Sequence, residues 1–170
     1  MSAELNRGLA IVMVLQKNKA MTVDLESIDW AVFKTAYGTA TFVPKLIVQL
    51  AGNNHEIAMG ASHELWCALC HQHAYVSSAA LPSLPFILKV LDGANDALSV
   101  EILDILLGFA VCETDGTENA PWLEQLRAEV TREHRRFRAL SSSQNETVAY
   151  FAVAILEKIG EKNLEMLQLL

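Results

Sequence analysis

Two stretches of this 170-residue chain repeat with a spacing of 41 residues, and that period constrains the fold more than any single residue does. Residues 41–72 and 82–113 align so that Pro44 meets Pro85, Leu50 meets Leu91, Gly52 meets Gly93, Asn54 meets Asn95 and Leu65 meets Leu106. A period near 40 with two apolar helical segments per unit predicts helical hairpins that stack side by side, bury a shared core and leave one long face free.

The second segment of each unit follows one template. Asn54 is followed by Ile57, Ala61 and Leu65, Asn95 by Leu98, Ile102 and Leu106, and Asn145 by Val148, Ala152 and Leu156. These positions predict three helices buried along that row, with Ala58, Ala68, Leu69, Leu103, Ala110 and Val153 beside it. Asn is suited to head each helix because its side chain accepts from a first-turn N–H. Gly52 and Gly93 are expected in the left-handed conformation that closes the preceding helix, and Pro44 and Pro85 in the first turn of theirs. The third copy is 50 residues beyond the second, which implies an insertion of about nine residues, with Ala120–Leu140 as its first helix and Ser141–Ser143 as its turn.

Outside the repeat, Ser2–Gln16 reads as helix, Lys17–Glu26 as loop, Ile28–Tyr37 as a short helix ending at Gly38, and Leu164–Leu170 as an apolar cap. The expected organisation is one domain: capping helices over 1–40, units over 41–72, 82–113 and 120–160, and a C-terminal cap over 161–170.

Composition agrees with a folded globular chain, 52% apolar with only 4 Pro and 8 Gly. The N-terminal apolar run Leu9–Leu15 is too short to span a bilayer and has no cleavage pattern, so a cytoplasmic protein without membrane contact is expected. Cys67, Cys70 and Cys112 make an odd set with no disulfide framework. The net charge of −7 argues against nucleic acid as the main partner. It is unevenly placed: residues 75–118 carry a local net of −6, and 119–140 a local net of +2 from Arg127, Arg132, Arg135, Arg136 and Arg138.

Several residues further resemble a known family. Ala36-Tyr37-Gly38-Thr39-Ala40, Val43-Pro44 with Leu46, Leu65-Trp66, His71-Gln72, Tyr75-Val76 and Leu84-Pro85-Phe86-Ile87 together look like the small bacterial HEAT-repeat proteins of the armadillo-like class, over roughly residues 30–112. The resemblance implies an all-α, right-handed α-α superhelix of about three HEAT-like hairpins plus N-terminal helices. It also implies a concave side lined by the second helix of each hairpin. The chain departs from the pattern at His73, where the family tends to have Gly, so a positive φ there would strain the backbone.

On the implied concave side, the positions left out by the apolar template are Glu56, Met59, His63 and Cys67, then Ala97, Val100, Asp104 and Gly108 with Glu101 beside them, then Thr147, Tyr150, Ala154 and Lys158. Met59, His63, Glu101, Asp104 and Tyr150 are expected to contact a protein or peptide partner of basic character. His71, Gln72, His73 and Tyr75 are expected as a polar patch at the rim. The function this implies is a non-enzymatic scaffold or adaptor, of which an immunity or regulatory partner protein is one version. The alternatives are a helical-repeat lyase or isomerase for a bilin-type ligand, and a HEAT-like enzyme acting on nucleic acid.

Cys67-Ala68-Leu69-Cys70-His71 fits the C-x-x-C-H pattern of haem attachment, but the equivalent segment of the second unit lacks it. His63 and Cys67 are spaced i, i+4 on one helix face, where with Cys70, His71 or His73 they could meet a metal. The competing reading, buried thiols and imidazoles at a helix end, is preferred, and no cofactor or metal is expected.

Overall fold

The computed structural model describes residue 21, residues 24–116 and residues 120–160. Its framework follows from the three asparagines. Asn54 Oδ1 accepts from Ile57 N (3.2 Å), Asn95 Oδ1 from Leu98 N (3.0 Å) and Asn145 Oδ1 from Thr147 N and Val148 N. Each caps a long helix: α2 (His55–Cys70), α4 (Asp96–Val111) and α7 (Glu146–Lys158). Ahead of them run α1 (Val43–Leu50), α3 (Ala80–Leu91), α5 (Pro121–Arg132) and α6 (His134–Leu140). The protein is thus mostly helical.

The hairpins α1/α2 and α3/α4 turn through loops of the same length, residues 51–54 and 92–95, and α6/α7 makes a third. They stack in two layers. The capped helices lie together, α2 on α4 and α4 on α7, while α1 packs on α3 and α3 on α5 in the other layer. Helix α4 is therefore flanked on both sides and buries eight residues, Leu98, Ser99, Ile102, Leu103, Ile105, Leu106, Gly108 and Phe109.

Several sequence expectations are corrected. Ile57 and Val153 are exposed, at 48% and 43%, because α2 and α7 each have a capped neighbour on one side only among the described residues. In α2 the buried row is shifted to Ala58, Ala61, Leu65, Ala68 and Leu69. Gly52 and Gly93 are not left-handed; α1 and α3 end through right-handed Ala51 and Asp92 instead. Pro44 does lie in the first turn, but α3 begins at Ala80, so Pro85 is interior and cannot donate to the Leu81 carbonyl. The segment expected as one helix over Ala120–Leu140 breaks at Glu133 into α5 and α6.

Residues 24–26, expected as loop, are helical. Ile28–Tyr37 is not a helix either. It holds a short 3-10 turn, Trp30–Val32, and the start of a hairpin in which β1 (Lys34–Thr35) pairs antiparallel with β2 (Gly38–Thr39). Gly38, at φ +112°, makes the turn that a helix end was expected to make. The helix expected at Ser2–Gln16 and the cap expected at Leu164–Leu170 lie outside the described residues.

Candidate functional site

The chemistry concentrates at the C-terminal end of α2. The last helical carbonyls are taken up by other segments: Ala68 O accepts from Ala36 N (2.9 Å) and Ser77 Oγ (3.3 Å), and Leu69 O accepts from Ser77 N (2.8 Å). The first of these bonds docks the β1–β2 hairpin on α2 and brings Tyr37 beside Cys67.

Beyond Cys70 the chain makes a left-handed turn through three consecutive non-glycine residues, His71 (φ +38°), Gln72 (φ +56°) and His73 (φ +65°). The strain foreseen at His73 is real and extends over its two neighbours. Each such residue costs roughly 1–2 kcal/mol. Side-chain anchors hold the turn against that cost. His71 stacks on Tyr75 (4.8 Å between centroids) and meets the edge of Tyr37 (6.1 Å). His73 Nε2 lies 2.9 Å from Asp104 O and 3.3 Å from Asp104 Oδ1. Since both partners only accept, Nε2 carries the proton. Gln72 Nε2 donates to Cys67 Sγ (3.7 Å).

Gln72 is exposed and makes the least of these anchors. Gln72→Gly is therefore expected to raise unfolding stability by roughly 1 kcal/mol, read as a higher urea midpoint. A lower midpoint would show that the amide matters more than the backbone strain.

Of the expected partner-contact residues, His63 is exposed, Tyr150 is 68% exposed, and Glu101 is half-buried. Met59 is half-buried and packs against the core. Asp104 is joined to His73, so one expected face residue and one expected rim residue form a single contact. Burial raises the Asp104 carboxyl above its ordinary value, partly offset by His73. Gly108, expected on the open face, is buried: a Cβ there would sit 2.7 Å from Cys70 Sγ.

Sequence reasoning did not find the role of Trp66 or Tyr37. Trp66 lies between two imidazoles, 5.8 Å from His63 and 5.9 Å from His73, and its buried Nε1 has no hydrogen-bond partner among the described residues. The spacing of His63 and Trp66, one turn apart on α2, was the available signal for that pair. No local pattern joins Tyr37 to Cys67, because the hairpin that brings them together closes across some thirty residues.

The three cysteines differ. Cys70 is buried and donates to Trp66 O (3.2 Å), and burial, followed by the neighbouring Cys112, pushes its thiol far up. Cys112 is pushed up to about 11 by burial, with Arg127 opposing. Only Cys67 is partly exposed. The C-x-x-C-H pattern thus offers one accessible thiol. Among the described residues no three His, Cys, Asp or Glu side chains group as a metal site.

The raised thiols have a pH consequence. In the unfolded chain they ionise near 9.0, but in the folded protein they stay neutral to higher pH. The unfolded state therefore releases protons first, and stability present below pH 9 is lost as pH rises through about 11. The urea midpoint should fall across that window, and Cys70→Ala/Cys112→Ala should flatten the fall. An equal slope in the double variant would assign it to other groups.

In the basic stretch, Arg127 pairs with Glu113, Arg132 with Glu129, and Arg136 with Glu133 and Asp92. Among the described residues, no helix is long and apolar enough to cross a membrane. Comparison of the chain with family models, curated proteins and solved structures gave no match.

Proposed function

We propose that this chain is a non-enzymatic, HEAT-like helical-repeat protein of the cytoplasm that binds a protein or peptide across the free face of α2, α4 and α7. The observation that supports the reading best is the stacking of the three asparagine-capped helices in one layer. Their outward positions form a row of mixed character: exposed His63 on α2, half-buried Glu101 and Asp104 on α4, and exposed Tyr150 on α7, whose ring meets Phe151 edge-on at 5.6 Å. Aromatic and acidic groups on one face suit a partner with basic and apolar side chains. The acidic excess of residues 75–118, contributed largely by α4 and its flanks, likewise suits a basic partner.

The arginines of α5 and α6 favour this reading over a nucleic-acid enzyme, since three of them face carboxylates of the chain itself. A photo-crosslinking amino acid at position 150 should capture a partner protein that the same group at exposed Val48, on α1, does not. Glu101→Lys with Tyr150→Ala should lower that partner's binding at least about tenfold while circular dichroism stays unchanged. Equal binding by the double variant, or capture from position 48 alone, would overturn the reading.

A further inference from the structure

The thiol of Cys67 is surrounded by groups that the structural role of α2 does not require. His63, one helical turn earlier, places Nε2 3.8 Å from Sγ. Gln72 Nε2 donates to the same sulfur at 3.7 Å, and Tyr37 of the β1–β2 hairpin lies beside it. These groups come from three separate segments, and Gln72 reaches the sulfur only because residues 71–73 turn left-handed. A base within reach of a thiol, with an N–H donor at the sulfur, is an arrangement in which the thiol can hand over its proton as the sulfur attacks an electrophile.

The geometry points to Cys67 as a modification site, a thiol that hydroperoxides oxidise to a sulfenic acid with His63 acting as base. His63 Nε2 takes the thiol proton. The thiolate sulfur attacks one peroxide oxygen; the S–O bond forms as the O–O bond breaks, and the departing oxygen leaves with the bonding pair. It collects the proton from His63 and departs as water, or as an alcohol from an organic peroxide. The sulfur is oxidised by two electrons and the peroxide is reduced by two.

The product would persist, because neither other cysteine is placed to resolve it: Cys70 is buried with its thiol directed to Trp66 O, and Cys112 is buried. Both are also held protonated by burial, which leaves Cys67 as the selective target. The inference does not depend on the partner-binding reading, since it concerns the reactivity of the isolated chain.

The test exposes the full chain to hydrogen peroxide at pH 7.4 with dimedone present and locates the adduct by mass spectrometry. The adduct should form on Cys67 in the folded protein, and at similar rates on all three cysteines in urea. His63→Gln should slow labelling of Cys67 about tenfold or more. Gln72→Gly, which keeps the turn, should slow it by a smaller factor through loss of the N–H donor. The proposal is overturned if folded Cys67 labels no faster than in urea, or if His63→Gln leaves the rate unchanged. It is also overturned if a chelator changes the wild-type rate as the His63 substitution does, since the pair would then be holding a metal ion.

Discussion

Phe109→Ala is expected to lower the unfolding free energy by about 3–5 kcal/mol. Phe109 is fully buried on α4, the helix that touches α2, α3, α5 and α7. The cavity left by the ring would be walled by several helices that cannot all close on it together. A truncation at the edge of the stack provides the contrast: Val153→Ala removes a 43% exposed side chain of α7 and should change stability by less than about 0.5 kcal/mol. Urea midpoints of the two variants measure the difference. Comparable losses at both sites would mean that α4 does not carry the core as its packing indicates.

The second large effect carries an informative sign. In a helix interior, Gly→Ala ordinarily stabilises by up to about 1 kcal/mol. At Gly108 the added methyl would sit 2.8 Å from Cys70 Cβ, 2.7 Å from Cys70 Sγ and 3.0 Å from His73 Cδ2. Cys70 Cβ is bonded directly to the backbone, and His73 is tied to Asp104, so neither has room to give way. Gly108→Ala should therefore destabilise by about 1–3 kcal/mol as α4 is pushed away from the end of α2. Gly60→Ala, in the same stack where a Cβ meets nothing within 4 Å, should stabilise. A gain at both glycines would rule out the close helix contact.

These two sites also mark what could be read from the chain beforehand. The capped helices were legible because Asn54, Asn95 and Asn145 act locally: cap, first turn and apolar row lie within a dozen residues. Hairpin pairing was legible because the 41-residue period repeats both the helices and the loop between them. Burial at the ends of the stack was not, since Ile57 obeys the same template as Leu98 but α2 has a capped neighbour on one side only among the described residues. Pro85 misled for a related reason. A proline normally marks a first turn, but Ala80 begins α3 one and a half turns earlier, where Ala79 N is held by Lys34 O (3.0 Å) from β1.

The candidate site was half visible. His63 and Cys67 on one face followed from helical spacing, and His73 was singled out because glycine was expected there. Tyr37 over Cys67, Asp104 under His73 and Trp66 between two imidazoles are contacts among segments that no local pattern joins. Gly108 was assigned to the open face by its offset from Cys67, yet the chain uses it for a close approach of α4 to the end of α2.

The left-handed turn after α2 bears on how the molecule opens. Its three residues subtract conformational energy from the segment that contains them, so the free energy needed to release residues 71–75 is smaller than that needed to unfold the stack. Amide protons of the last turn of α2 should consequently exchange with solvent ahead of those in α4, which gain no relief from opening. The corner nearest Cys67 and His63 is thereby the part of the surface that can rearrange while the three-helix layer behind it keeps its shape.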